Sequence, residues 1–275
     1  MVFYLITLIS MTKKILMCSP DYFDIEYEIN PWMSTKNQVQ SIEAMDQWKK
    51  LYDIYVNKLG WEVKLIDPIE KLPDMVFTAN GALVINGKVA LPTFRAPDRQ
   101  PETKLFRKWF EDNGYTEFLE PKYDFEGEGD ALLWNDTLFA GFPWRSDQAC
   151  HNELRDFFGI KLVSLQLADA RFYHLDTCLT IVDKETVAIW PGAFTEKSIK
   201  RIHEIVPNVI EASDEDTLAY GLNAMSDGKN IVLSDKAYGL IEKYRQKGMN
   251  VFTVPISEYQ KSGGGVKCLT LELRD

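Results

Sequence analysis

The 275-residue chain is long enough to bury a large core, and 45% hydrophobic with 26% charged residues is ordinary for a globular protein in water. A formal net charge of −10 and the lack of any basic run argue against a phosphate-binding surface, so nucleic acid is not an expected partner. Four cysteines without a CxxC pair fit a reducing cytoplasm better than a secreted, disulfide-stapled scaffold.

Residues 1–10, MVFYLITLIS, are apolar. They are too short to span a bilayer and carry neither a basic flank nor a small-residue cleavage site. Met11 opens a more conventional start, MTKKILMCSP, so the leader reads as an edge strand, a tail or a start-codon artefact, and no membrane association is expected. KILMCSP then reads as a strand, SIEAMDQWKKLYDIYVNKLG as a helix ending at Gly60, and EVKLIDP as a strand.

From Gly81 onward the chain repeats itself. Segments beginning at Gly81, Asp130, Thr177, Leu222 and Gly265 share a pattern of strand, polar turn and strand, and their starts lie 43 to 49 residues apart. The turns, Asn86-Gly87, Asn135-Asp136, Asp183-Lys184 and Asp227-Gly228, use residues that tolerate hairpin geometry. Helical stretches follow the first four: ETKLFRKWFEDNG to Gly114, SDQACHNELRDFFG from the capping candidate Ser146 to Gly159, EKSIKRIHEIVP, and KAYGLIEKYRQKGMN. Short strands such as KLVSLQL and NVFTVPISEY come next. An open α/β sheet is one arrangement of such units. A ring is favoured, because closure removes the edges that five small sheets would expose. KILMCSP would pair with the C-terminal strand, and the last hairpin is cut short at Leu273 as closure requires. No linker rich in Pro, Gly or Ser interrupts the chain, so a single catalytic domain is expected over 11–275.

A ring brings the start of each repeat to one axis. Those positions are Asn80, Glu126 to Asp130, His174, Asn223 and Cys268, polar or reactive residues at the margin of apolar strands. A carboxylate, an imidazole and a thiol from separate repeats make up a set for nucleophilic catalysis. Each also has a plainer reading. Cys268 inside an apolar strand could be a small buried hydrophobe, although Gly263 to Gly265 before it let backbone approach a ligand. His174 could be a satisfied core histidine, Glu126 a turn carboxylate and Asn80 a turn residue before Gly81. His151 and His203 fall in amphipathic helices, which leaves His174 as the acid/base candidate. His174 and Cys178 would share a strand face, but no second pair offers metal-ligand spacing. The three glycines lack a Walker pattern, so a phosphate cradle is not indicated.

Seven stretches together resemble the guanidine-modifying superfamily: YEINPWM from Tyr27, FTANGALV from Phe77, FRAPDRQPE from Phe94, FEGEGDALL from Phe125, GFPWRSD from Gly141, FYHLDTC from Phe172 and SGGGVKCLTLEL from Ser262. The resemblance implies the pentein fold, a fivefold α/β propeller of ββαβ repeats around a central active-site channel. It implies Cys268 as nucleophile, His174 as general acid/base and Glu126 as the carboxylate holding the guanidine nitrogens. Relatives reading EGGD against EGEGD here leave Glu128 as an alternative. Arg99 and Arg145 match arginines that grip the substrate's carboxylate or line its pocket, with Arg95 as the alternative to Arg99. Asn30 and Asn80 match substrate-binding asparagines, and Asp130 is grouped with them.

Deiminases and the dimethylarginine enzymes carry an acidic residue where this chain has Asn80. An asparagine offers both a donor and an acceptor, which suits a neutral ureido group as well as a guanidinium. The resemblance therefore points to a cysteine hydrolase of the guanidino or ureido group, and within it to an arginine dihydrolase giving ornithine, ammonia and carbon dioxide. Citrulline hydrolase, dimethylarginine dimethylaminohydrolase, arginine deiminase and amidinotransferase remain alternatives. A non-enzymatic binding protein on the same scaffold predicts loss of the Cys, His and Glu set, which is kept here. The expected partner is a small molecule, arginine, citrulline or a methylated arginine. Neither metal nor organic cofactor is expected, and a homo-oligomer stays open.

Overall fold

The computed structural model describes residues 12–275, and the apolar leader at 1–10 lies outside the described residues. Strand β1 (Lys14–Cys18) leads through helix α1 (Ser41–Asp53) to β2 (Glu62–Ile66). Four units then follow, each two strands, a helix and a strand. The first is β3 (Leu83–Ile85), β4 (Lys88–Ala90), α2 (Glu102–Asp112) and β5 (Glu117–Leu119). The second is β6 (Ala131–Trp134), β7 (Thr137–Phe142), α3 (Cys150–Phe158) and β8 (Lys161–Gln166). The third is β9 (Leu179–Asp183), β10 (Thr186–Ile189), α4 (Glu196–Ile205) and β11 (Asn208–Glu211). A short helix α5 (Asp214–Leu218) precedes the fourth: β12 (Met225–Ser226), β13 (Asn230–Ser234), α6 (Tyr238–Gln246) and β14 (Asn250–Val254). Helix α7 (Ser257–Gln260) and β15 (Leu271–Glu272) complete the chain.

Among the described residues these strands form five three-stranded sheets. In four of them the first two strands are an antiparallel hairpin and the helix returns the third strand parallel to the second. The fifth joins the two ends of the chain. There β15 runs antiparallel to β1, with Leu16 opposite Leu271, and β1 runs parallel to β2.

Side-chain alternation shows how the sheets close into a ring. Successive residues of a strand point to opposite faces, so a strand covered on both sides supplies two cores. In β1, Ile15 and Met17 join a cluster with Met225, Val232 and Val254, whereas Leu16 and Cys18 join one with Val84, Val89 and Phe106. In the next sheet Leu83 and Ile85 pack with Ala131, Leu138 and Leu154. Leu132 and Phe139 then pack with Leu179 and Val187, and Val182 and Ala188 with Leu222, Ile231 and Leu233. Each cluster lies between consecutive sheets, and the first links the last sheet back to β1. The helices cover the outside; α2, for example, turns Phe106 and Phe110 inward at helical spacing.

Local chemistry explains most boundaries. Asn86 and Gly87 both take positive φ, 52° and 72°, the geometry of a two-residue hairpin turn. Helix α3 stops at Gly159 in the left-handed region. Several details differ from the sequence expectation. The third turn is Lys184-Glu185, because Asp183 remains in β9 and its side chain accepts from the Glu185 amide. Helix α1 ends at Asp53 and a π-helical turn carries the chain to Lys58. Ser146 does not cap α3; its hydroxyl instead donates to Asp130 and accepts from the Glu126 amide. The end of NVFTVPISEY coils into α7, and Cys268 stands in a turn at 266–269 before β15 instead of inside a strand. No helix among the described residues is long and apolar enough to cross a membrane.

Leu16 is fully buried at the pairing that joins the chain ends. Leu16→Ala should therefore cost about 2–5 kcal/mol in urea unfolding, with a single transition retained. A loss near zero would mean that the closure contributes little to stability.

Candidate active site

The strands that face the axis are each preceded by a tight turn, and these turns carry the polar residues. Three are 3-10 turns, Thr78–Gly81, Gly127–Gly129 and Leu175–Thr177; the other two are the turn at 219–222 that leads into Asn223 and the turn that holds Cys268. They are tied together by backbone. The Ala79 amide donates to the Cys268 carbonyl at 3.1 Å, and the Glu128 amide to the Ala82 carbonyl at 3.0 Å. Two glycines allow this crowding. A Cβ on Gly127 would stand 2.6 Å from the Ala79 carbonyl oxygen, and one on Gly129 would stand 2.4 Å from Asn80 Nδ2.

The turns surround a narrow cleft lined by Asn80, His174 and Cys268 together with Asn30, Asp74, Arg99, Arg145 and Tyr173. His174 Nε2 lies 2.8 Å from Glu126 Oε2, and Arg145 Nη1 donates to the same oxygen at 2.9 Å. Burial pushes the Glu126 carboxyl up, but Arg145, His174 and Arg99 outweigh it and hold it at about 2. Glu126 is thus a buried carboxylate, and its Oε1 has no protein partner.

Glu128, two residues on, points elsewhere. It takes Lys267 and Arg274 as ion-pair partners and accepts from the Glu272 amide, next to the strand pairing that closes the ring. Asp130 does not line the cleft either, contrary to the expectation from the sequence. Its two oxygens accept from the Ser146 hydroxyl at 2.6 Å and the Leu175 amide at 3.2 Å, so it braces two of the turns. Arg95 is half-exposed and pairs with Asp124 and Asp147, whereas Arg99 is buried in the cleft wall. Arg99 binds Glu102 through two nitrogens, at 2.9 and 2.8 Å, and donates to Asn80 Oδ1 at 2.8 Å.

That last bond orients Asn80. Arg99 has only donors, so the oxygen of the amide must face it, leaving Nδ2 beside Gly129 and the His174 ring without an acceptor. Asn30 sits on the segment before α1, which lies over the cleft. Its Nδ2 donates to the Ser262 carbonyl, its Oδ1 accepts from the Trp32 amide, and Arg145 donates to the Ile29 carbonyl alongside.

Cys268 is 3% exposed. Its Sγ lies 3.5 Å from Asp176 Oδ2 and receives a hydrogen bond from Asn223 Nδ2 at 3.1 Å. Burial, followed by the Asp176 charge, pushes the thiol well above its ordinary value, while the Gly265 backbone and Asn223 act in the opposite direction. Two carboxylates of this site escaped the sequence reading. Asp74 lies on a 3-10 turn (Pro73–Val76) with no periodic signal; its Oδ2 accepts from Tyr27 and its Oδ1 has no partner. Asp176 lies in FYHLDTC, two residues after His174, and the test that singled out His174, a polar side chain at the margin of an apolar strand, would have found it.

Comparison with known proteins is consistent across sequence and structure. A family profile described as "N,N dimethylarginine dimethylhydrolase, eukaryotic" matches residues 19–275. The N(G),N(G)-dimethylarginine dimethylaminohydrolase of Mycobacterium tuberculosis is 38% identical over 95% of this chain and 86% of its own length. The bifunctional arginine dihydrolase/ornithine cyclodeaminase ArgZ of Synechocystis is also 38% identical over 95% of this chain, which spans 38% of that larger protein. The product-bound N-terminal domain of ArgZ, an arginine dihydrolase from the ornithine–ammonia cycle in cyanobacteria, superimposes with a TM-score of 0.91 at 37% identity. That match covers 96% of this chain and 98% of the domain.

The buried carboxyl of Asp176 sets a pH dependence. Burial, partly offset by Lys267, raises it from 3.8 to about 7. A carboxyl raised in the fold favours the folded state while protonated, and that contribution is lost as pH rises through about 7. Asp176→Asn should match the parent protein near pH 4 and exceed it by up to a few kcal/mol at about pH 8 in urea unfolding. A difference that does not grow with pH would contradict this.

Proposed function

The chain belongs to the N,N-dimethylarginine dimethylhydrolase family of pentein-fold hydrolases, which act on carbon–nitrogen bonds of linear amidines, and we propose that it is an arginine dihydrolase. The observation that carries this reading is the orientation of Asn80. With Oδ1 held by Arg99, the group left for a ligand is a donor. A guanidinium has no acceptor to offer it, whereas the ureido oxygen of citrulline does. Glu126 Oε1 and Asp176 Oδ1, both without partners, supply acceptors for N–H groups. The two acceptors suit the N–H groups of arginine's guanidinium, and the Asn80 donor then suits the ureido oxygen of citrulline. The likeness to ArgZ supports the same assignment.

In the proposed reaction, the Cys268 thiol gives its proton to His174 and the thiolate Sγ bonds to the guanidino carbon. A bound guanidinium beside the sulfur favours that thiolate, against the burial that raises the empty-site thiol. The C–NH₂ bond breaks as His174 hands a proton to the departing ammonia. His174 then takes a proton from water, whose oxygen bonds to the carbon as the C–S bond breaks, giving citrulline. Glu126, charged at neutral pH, holds the imidazole through Nε2 and stabilises its protonated form. A second round on the ureido carbon releases another ammonia and leaves a carbamate, which loses carbon dioxide to give ornithine. Two waters are consumed per arginine. Asp74 Oδ1 and the neighbouring arginines would hold the α-ammonium and α-carboxylate.

Incubation with arginine, citrulline and asymmetric dimethylarginine in turn tests this. Ornithine with two ammonia per arginine is expected, and Cys268→Ala should lose turnover while keeping its fold. A folded, active Cys268→Ala protein would sink the mechanism. Citrulline as the end product would indicate a deiminase. Dimethylamine release without ornithine would favour the second reading, suggested by the Mycobacterium tuberculosis relative, of a dimethylarginine hydrolase.

Asn80→Asp replaces the free donor by an acceptor. It should slow citrulline hydrolysis about 10- to 100-fold while the first step persists, so that citrulline accumulates from arginine. Unchanged ornithine production would remove the argument from Asn80. Asp74→Asn should raise KM for arginine about tenfold or more with kcat nearly constant, as expected for a group that binds ground state and transition state alike. A loss confined to kcat would place Asp74 in the chemistry instead.

A further inference from the structure

One axial residue singled out by the repeat has no part in the reaction as written above. Asn223 is fully buried at the start of the fourth unit and meets the Cys268 turn on several sides. Its Oδ1 accepts from the Cys268 backbone amide at 3.0 Å, and its own carbonyl accepts from the Lys267 amide at 3.2 Å. Its Nδ2 donates to the Asp176 carbonyl at 3.0 Å and to Cys268 Sγ at 3.1 Å. The chemistry of the neighbours fixes which end is which. A backbone amide only donates and a backbone carbonyl only accepts, so the oxygen must face Cys268 N and the two amide hydrogens must face Asp176 O and the sulfur. Gly265 makes room for this contact; a Cβ there would lie 2.8 Å from Asn223 Oδ1.

The net surroundings of the sulfur disfavour an anion. Burial and the Asp176 carboxylate both raise the thiol; the Gly265 backbone and Asn223 oppose them, and Asn223 is the side chain that does so with a hydrogen bond. We infer that Asn223 is a catalytic residue that stabilises the Cys268 thiolate by donating from Nδ2 to Sγ, while Oδ1 holds the nucleophile's own amide in register. This rests on Cys268 being the nucleophile. The bond is worth more to a thiolate than to a thiol, because a charged acceptor strengthens it, so it acts when the proton leaves. Without it, Asp176 would be left facing the forming anion at 3.5 Å.

The test compares Asn223→Asp with Asn223→Ala. The aspartate keeps an oxygen for the Cys268 amide but exchanges the donor for an anionic oxygen; the alanine loses both. Alkylation by iodoacetamide, mapped to Cys268 by mass spectrometry at about pH 8, should slow about 10- to 100-fold in both variants. Asn223→Asp should slow at least as much as Asn223→Ala, and kcat should fall in parallel with little change in KM. An Asn223→Asp protein that alkylates like the parent would reduce Asn223 to a clamp on the turn and overturn the proposal, as would an unchanged Asn223→Ala. In the unmutated protein, the Nδ2 protons of Asn223 in an asparagine-labelled sample should shift in NMR spectra when Cys268 is alkylated. Protons that stay in place would overturn the proposal whether or not the variants fold. Retained turnover by Cys268→Ala would instead refute the assignment of the nucleophile.

Discussion

The pairing of β1 with β15 is the constraint on which the rest of the molecule depends. It joins residues more than 250 positions apart, Ile15 with Glu272 and Leu16 with Leu271, and turns a row of sheets into a ring. Closure matters because each sheet is buried on both faces, and an open row would leave two end sheets with exposed apolar faces and unpaired edges. It also delivers the chemistry. The turn carrying Cys268 immediately precedes β15, and the same join carries hydrogen bonds from Ala79 N to Cys268 O and from Thr78 Oγ1 to Leu16 O. Buried Glu128 and Lys267 and the partly exposed Arg274 form an ionic cluster at this seam, a few residues from Cys268 and Glu126. Buried ion pairs of this kind contribute little net stability but fix register, since a mispaired partner would leave a charge alone in the interior.

At the axis the electrostatics run the other way. Asp74 Oδ1, Asn80 Nδ2, Glu126 Oε1 and Asp176 Oδ1 are all buried without partners. Unsatisfied polar atoms cost free energy, and native proteins rarely keep four of them together. Asp74 and Asn80 line the cleft, and Glu126 and Asp176 stand behind it against His174 and Cys268, so the unpaired atoms border the place where a polar ligand would complete the hydrogen bonding. Their neighbours also sort their charge states. Glu126, beside Arg145 and His174, stays ionised to about 2, while Asp176 is raised to about 7 by burial. Two carboxyls from neighbouring axial turns are therefore prepared for different tasks, Glu126 as a fixed anion beside the imidazole and Asp176, raised to about 7, beside the thiol.

The fivefold repeat was legible because it rests on local signals: Asn-Gly and Asp-Gly turns, strand-length apolar runs, and helices ended by glycine at a spacing of 43 to 49 residues. The axial convergence of Asn80, Glu126, His174, Asn223 and Cys268 followed from the repeat itself, since equivalent positions of a ring share one axis. What remained hidden had no repeat to reveal it. Asp74 precedes the axial turn of its unit and reaches the cleft only because Pro73–Val76 coils back against it. Asp130 occupies an axial position yet turns sideways to Ser146 and Leu175, an outcome set by which turn packs beside it. Ser146 looked like a helix cap because its place before an amphipathic run fits that pattern, but a buried carboxylate nearby is the stronger partner.

By itself the sequence determined the repeat, the ring and the set of reactive residue types at its axis, because alternation, turn chemistry and helix ends act over a few residues and leave their mark in order along the chain. Only the tertiary structure decided which glutamate faces the imidazole, which arginine lines the cleft, and which end of each amide points where. Those choices depend on contacts between segments that the repeat does not pair in sequence: Arg99 with Asn80, Glu126 with His174, and Asn223 with Cys268. A hydrogen-bond direction is set by the partner across the gap, and the partner's identity is not written beside the residue it orients.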